Sequence, residues 1–262
     1  MLDEINAVRF DMLLESGRTK PCLVTCEADD GEEVSVVVKL SIGCMEREHN
    51  LALEALSAML ATDLDLPVPN FYIVKIDDLF VDSMRGHSSF QKFNESCRLA
   101  FGSQHVQGFG PWITRSHVPK SLRQIAIEVF VFDCIIMNTD RRPGRPNCLF
   151  SGNQIAIIDH ELSFIKELFW KPPFEIGGLD STAQPDAHIF APFYHDDKTP
   201  ANLSKFSARW LQITDDRLQE YLDAIPPEWK IYEEKILQKI DYLKSVRDNI
   251  HQVVNEALKV FR

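Results

Sequence analysis

The sequence predicts an α+β chain in two parts: a strand-rich stretch of about a hundred residues, then a mostly helical remainder. Three observations carry this reading. Residues 21–27 and 33–40 are β-rich runs separated by Asp29-Asp30-Gly31, a hairpin turn signal. Gly102-Ser103 and Gly108-Phe109-Gly110-Pro111 break the pattern and mark a boundary. Beyond Pro119, residues 121–138 form a long, largely apolar run that suits a central buried helix.

The elements follow in order. The second β-run closes Val36-Val37-Val38-Lys39-Leu40, so Lys39 is either a sheet-edge charge or a lysine aimed into a cleft. A helix is predicted over 46–62, with Leu53, Leu56, Met59 and Leu60 on one stripe. Leu66-Pro67-Val68-Pro69 stops it, because proline cannot continue a helix and restricts the residue before it. Residues 71–76 and 98–101 read as further strands, and 82–95 between them as polar and irregular. Residues 147–150 and 154–159 read as a strand pair around Ser151-Gly152-Asn153. Residues 167–200 are loop-like and proline-rich. Helices over 214–224 and 229–261 are separated by Pro226-Pro227; Ile236, Ile240, Leu243, Val246 and Ile250 give the last an apolar stripe that packs on a core.

The chain has 262 residues and a net charge of −11, with 45% hydrophobic and 26% charged residues. That length buries a sizeable core, and the acidity argues against a face built for nucleic acid. No signal peptide is legible at Met1-Leu2-Asp3-Glu4, and no apolar run reaches membrane-spanning length. Six cysteines without paired CxxC spacing fit a reducing, cytoplasmic setting. Cys22 and Cys26 share one strand face and read as half-buried thiols rather than a metal pair.

The most informative stretch runs from Asn138-Thr139-Asp140-Arg141 through Asn147 to Ile157-Ile158-Asp159-His160. One apolar run delivers Asp140 and a second delivers Asp159. Two carboxylates and an amide placed at the ends of ordered elements are what magnesium-dependent phosphoryl transfer needs: one carboxylate beside the attacking group, and an Asn and an Asp for the metal. Ordinary readings compete. Asp159 could cap a helix, Asp159-His160 could belong to a metal hydrolase, and Lys39 with Glu54 could be a structural ion pair. Arg141 either neutralises Asp140 or an incoming phosphate, or bonds neighbouring carbonyls. His188 and His195 read as structural or surface residues, and Glu161 as a cap or a solvent-facing side chain.

The order of Lys39, Glu54, the glycine-broken linker and Asp140…Asn147…Asp159 resembles a bilobal protein-kinase-like enzyme, and within that class the HipA-like kinase family, akin to phosphoinositide-3-kinase-like enzymes. The residues that carry the resemblance are Val131-Phe132-Asp133, Asn138-x-Asp140-Arg141, Pro146-Asn147-Cys148-Leu149 and Ile158-Asp159-His160, supported by Gly17-Arg18-Thr19-Lys20-Pro21, Val38-Lys39 and Leu53-Glu54. The resemblance implies a nucleotide-binding lobe over 1–104, an antiparallel sheet plus one helix, and a mostly helical catalytic lobe over 105–262. It implies ATP and Mg2+, with Asp140 catalytic and Asn147 and Asp159 on the metal. Lys39 would meet the phosphates and pair with Glu54, Gly17-Arg18-Thr19 would form a phosphate-side loop, and the linker at Gln104 and Val106 would meet adenine. The implied acceptor is a hydroxyl, a protein Ser or Thr by family, with a regulator protein as a further partner and no membrane or nucleic acid. A pseudokinase-type binding module and a small-molecule kinase are the alternatives. The sequence departs from the common kinase pattern in its single-glycine loop, in His160 for the usual Phe, and in Arg145 where the metal-binding Asn is expected, the Asn coming at 147.

Overall fold

The computed structural model describes residues 2–15, 17–113, 118–164, 188–190 and 202–258. The N-terminal strands are β1 (Glu4–Leu13), β2 (Cys22–Glu27), β3 (Glu33–Lys39), β4 (Phe71–Lys75) and β5 (Leu99–Gln104). They form a closed barrel in the order β1-β2-β3-β5-β4. Four of the five neighbouring pairs are antiparallel as expected, and the correction is that the sheet closes on itself. The closing pair is parallel, Glu4, Ile5 and Asn6 of β1 lying against Ile73, Val74 and Lys75 of β4. Two register shifts in β1, at Ala7/Arg9 and Phe10/Met12, bend that strand around the barrel. Small, β-branched and thiol side chains fill the interior, among them Cys22, Val24, Cys26, Val36, Val38, Val74 and Ala100. Gly102 is required there, since a Cβ would lie 2.5 Å from Val74 Cγ2 and 2.6 Å from Val36 Cγ1.

Cys22 and Cys26 are fully buried in this interior, not half-buried. Burial pushes their thiols up to about 11 and about 12. Two short helices, α2 (Asp78–Ser83) and α3 (Phe90–Asn94), replace the expected irregular stretch and place Phe80, Val81, Met84 and Phe93 against the barrel core. With α1 (Glu48–Asp63), the described residues of the first part therefore carry three α-helices rather than one.

Helix α1 is buried on all sides. Every side chain from 49 to 61 is inside, so the expected single stripe understates its contacts. Alanine and serine at 52, 55, 57, 58 and 61 leave room for close neighbours. Its core continues into α4 (Arg123–Ile135), in which residues 126–135 are all buried. A small sheet, β6 (Gly110–Pro111), β7 (Cys148–Ser151) and β8 (Gln154–Ile157), lies beside it. Ile157 N–H donates to Pro67 O at 2.8 Å, which ties this sheet to the turn after α1.

The C-terminal helices are α5 (Ser204–Gln212), α6 (Asp215–Ala224), α7 (Glu233–Asp248) and α8 (Ile250–Ala257). Thr214 caps α6 through a 3.0 Å bond from Arg217 N–H. The expected continuous last helix is split at Asn249, whose φ of −119° and ψ of 19° leave the helical region. The stripe at Ile236, Ile240, Leu243, Val246 and Ile250 is buried as expected.

Candidate active site

A buried polar network shapes the loop that carries Asp140. Asp133 is a fully buried acid on the otherwise apolar α4. Its carboxylate accepts from Asn138 Nδ2 at 2.9 Å, from Arg141 Nε at 2.5 Å and from His188 Nε2 at 2.9 Å. The Arg141 guanidinium holds this carboxyl low, at about 2, against the burial that opposes ionisation. Burial holds the His188 imidazole below its ordinary value. Arg141 has no exposure, and it also donates to the carbonyls of Asn147 and Ile158 and contacts His160 Nε2 at 3.0 Å. It is thus a brace that bonds Asp133 and two backbone carbonyls. Asn138 Oδ1 accepts from Asp140 N–H at 3.2 Å, and Ile189 N–H donates to Arg141 O at 3.1 Å. His188, read from the sequence as structural or surface, is buried; His195 lies outside the described residues.

The displaced Asn147 has a simple geometric explanation. Arg142 and Arg145 exchange two backbone bonds, of 2.9 and 2.8 Å, around Pro143-Gly144. The added residues are consumed in this tight turn, which returns the chain so that Asn147 Nδ2 lies 3.4 Å from Asp140 Oδ2. The guanidiniums of Arg142 and Arg145 flank the same carboxylate at 3.5 and 3.7 Å. Asn147 and Asp159 both adopt left-handed backbone, at φ 41° and 63°, a region that Asn and Asp tolerate better than most side chains.

Opposite Asp140, β3 delivers Lys39 into a cluster of acids. Its Nζ lies 2.7 Å from Glu54 Oε2 and 3.1 Å from Glu161 Oε2, and it also bonds Asp159 Oδ1. The second Glu54 oxygen accepts from His160 N–H at 2.9 Å, so α1 fixes both Lys39 and the segment after β8. Burial alone would discharge Lys39 and Glu54. The mutual attraction overcomes it, raising Lys39 well above and holding Glu54 well below the ordinary range. Glu161 is 3% exposed and does not face solvent, which corrects its expected surface role. Burial pushes its carboxyl up even though Lys39 pulls it down.

These groups line one cleft of about 690 Å³. All ten residues singled out in the sequence are on its wall: Gly17, Arg18, Thr19, Lys39, Glu54, Gln104, Val106, Asp140, Asn147 and Asp159. Val37, Phe71, Phe101, Leu149 and Ile157 provide its apolar surface. The loop at 17–19 is held from behind. Lys92 Nζ donates to Thr19 O at 2.8 Å, and Gly43 packs so closely that a Cβ would sit 2.6 Å from that same carbonyl. The residues sequence reasoning missed are Glu161, Gly43 and Lys92, together with the roles of Asp133 and His188. A lone acid within an apolar helix was the legible signal for Asp133; Gly43 and Lys92 offered none.

The donor set suits a hard divalent ion. Carboxylate oxygens of Glu54, Asp159 and Glu161 lie within 4.8 Å of one another, a set that could hold a metal ion, and the Lys39 ammonium bonds all three. Among the described residues no helix is long and apolar enough to cross a membrane.

A search among curated proteins finds no relative. Among solved structures, the crystal structure of a Helicobacter pylori proinflammatory kinase, CtkA, is similar at a TM-score of 0.53 and 13% identity, covering 98% of this chain and 96% of that one. That likeness bears on the fold, which is a kinase fold with a closed barrel. The family model for HipA-like kinases matches residues 8–259, nearly the whole sequence, and the chain belongs to the HipA-like kinase family.

Proposed function

We propose that this kinase transfers the γ-phosphoryl of ATP, with magnesium, to a hydroxyl, and that the acceptor is a protein Ser or Thr. The observation that carries the reading is the convergence of Lys39, Glu54, Asp140, Asn147 and Asp159 on one cleft, with Lys39 bonded to both Glu54 and Asp159. The cleft lies in the size range that holds nucleotide-sized ligands. In this reading residues 1–104 present the nucleotide and 105–262 carry the chemistry.

Each residue then has a physical task. The amides of Gln104 and His105 bond the carbonyls of Asn70 and Ser35 at 2.7 and 2.8 Å, so Val106 is the amide that meets the base edge. Gly17, Arg18 and Thr19 cover the phosphates, and Lys39, oriented by Glu54, neutralises them. Asn147 and Asp159 hold magnesium, which when bound spreads the charge of the phosphate oxygens. Asp140 orients the acceptor hydroxyl and takes its proton as the new O–P bond forms and the bond to the β-γ bridging oxygen breaks, ADP leaving. Asn138 and Asn147 fix the Asp140 backbone and carboxylate for this step.

The test is incorporation of labelled phosphate from γ-labelled ATP into protein substrate, and release of ADP, by wild type, Asp140→Asn and Asp159→Asn. Asp140→Asn should lose about 10²- to 10⁴-fold in transfer while still binding nucleotide. Asp159→Asn should lose transfer and metal-dependent binding together. A wild type that neither transfers phosphate, nor hydrolyses ATP, nor binds nucleotide in a magnesium-dependent way would overturn the proposal.

A further inference from the structure

Glu161 has no place in the mechanism above, yet it pairs with two of the cleft's cations, Lys39 and Arg18. Its Oε2 is 3.1 Å from Lys39 Nζ and its Oε1 is 3.3 Å from Arg18 Nη2. The second contact spans the cleft, joining the loop between β1 and β2 to the segment after β8. The Glu161 side chain is 4% exposed while that of Arg18 is 36% exposed, so the arginine reaches inward to a fixed acid. The acid is fixed by the backbone, since Glu161 O accepts from Asn50 Nδ2 of α1 at 2.8 Å.

Orienting Lys39 does not call for this third carboxylate. Glu54 and Asp159 already bond the ammonium from two sides. Counting formal charges, Glu54, Asp159 and Glu161 bring −3 against +2 from Lys39 and Arg18, which leaves an excess of −1 where a polyanion would bind. A carboxylate chelated by two cations also has the contacts that a phosphate oxygen would make with the same pair.

We propose that Glu161 is an internal occupant of the phosphate subsite. In the nucleotide-free protein it holds Lys39 and Arg18 together, and nucleotide must take both cations from it. A divalent cation delivered with the nucleotide compensates the carboxylate thereby released, so Glu161 makes nucleotide binding depend on the metal. This inference rests on the assignment of Lys39 and Arg18 to the nucleotide phosphates.

The experiment is calorimetric titration of the full chain with ADP and with ATP, each in excess magnesium and in EDTA. Wild type, Glu161→Gln, Arg18→Gln and the double variant are compared. Glutamine keeps the shape of the side chain and the backbone bond to Asn50, and melting curves report whether each variant is folded. Removing one like charge at this range should tighten metal-free nucleotide binding about tenfold. Binding in magnesium should change less, so the ratio of the two affinities narrows. In the Arg18→Gln background the gain from Glu161→Gln should shrink, because one side of the clasp is already open. A Glu161 needed only for structure would leave metal-free affinity unchanged or weaker, and either result overturns the proposal while leaving the nucleotide site standing. If Glu161→Gln does not fold, Glu161→Ala takes its place with the same expectation. A wild type that binds no nucleotide in either condition overturns both this inference and the site assignment beneath it.

Discussion

Replacing Arg141 by alanine should destabilise the protein far more than any exposed arginine does. Arg141 is completely buried and bonds the fully buried Asp133, the carbonyls of Asn147 and Ile158, and His160. Its removal leaves the Asp133 carboxylate, among the described residues, with Asn138 and His188, and deprives two carbonyls of their guanidinium donor. Breaking a buried pair from one side costs about 3–5 kcal/mol. For a domain of this size each kcal/mol lowers the melting temperature by about 2–4 °C, so the expected drop is about 6–20 °C. The assay is thermal unfolding at neutral pH, with Arg85→Ala as control: Arg85 pairs with Asp82 on the surface, and its loss should cost less than about 1 kcal/mol. Arg141→Lys should not restore stability, because an ammonium lacks the fork that serves Asp133 and two carbonyls at once. An Arg141→Ala variant within about 1 kcal/mol of wild type would refute the argument that this network is what holds the Asp140 loop.

Three further outcomes follow from the structure. Gly43→Ala forces a methyl against Thr19 O and should displace the 17–19 loop, raising the Kd for nucleotide in a binding titration while leaving Asp140 and Asp159 undisturbed; unchanged affinity would show that the loop does not touch nucleotide. His188 is held below its ordinary pKa by burial, so the unfolded chain takes up its proton first as pH falls and stability should decline below about pH 6.5. Asp133 acts in a separate window: its carboxyl is held at about 2, so its contribution is intact above about pH 4 and is lost as pH falls towards 2. Unfolding free energies measured from pH 7 to pH 5 should show the His188 slope in wild type and a flatter profile in His188→Gln; equal slopes would contradict it.

The parts of the fold legible in the sequence are those with local signals. β2 and β3 are β-rich runs around an Asp-Asp-Gly turn, α1 and α4 are long and apolar, and the hairpin of β7 and β8 brackets Gly152, which has φ 58°. β1 is not legible, because charged and polar side chains punctuate it and it buries little beyond Ile5 and Ala7. Closure of the barrel is not legible either, since it depends on pairing Glu4–Asn6 with a strand some seventy residues away. The two short helices hide in a polar stretch, although Asp77, which accepts from Phe80 N–H at 2.7 Å, was a usable cap signal. In the site, the resemblance to HipA-like kinases marks Lys39, Glu54, Asp140, Asn147 and Asp159 as a set, and the fold brings them to one cleft. Sequence spacing does not say where a side chain points after a strand ends. Glu161 therefore reads as a surface acid and Arg141 as ambiguous, until burial places the first on Lys39 and the second on Asp133.

The central claim, that these residues form one nucleotide and metal site, meets its most direct test in a crystal structure with a non-hydrolysable ATP analogue and manganese, read by anomalous scattering. The account predicts one or more manganese peaks in the cleft at about 2.0–2.3 Å from oxygens of both Asn147 and Asp159, with the γ-phosphate facing Asp140. Nucleotide bound outside the cleft, or a metal without Asn147 among its ligands, would contradict it.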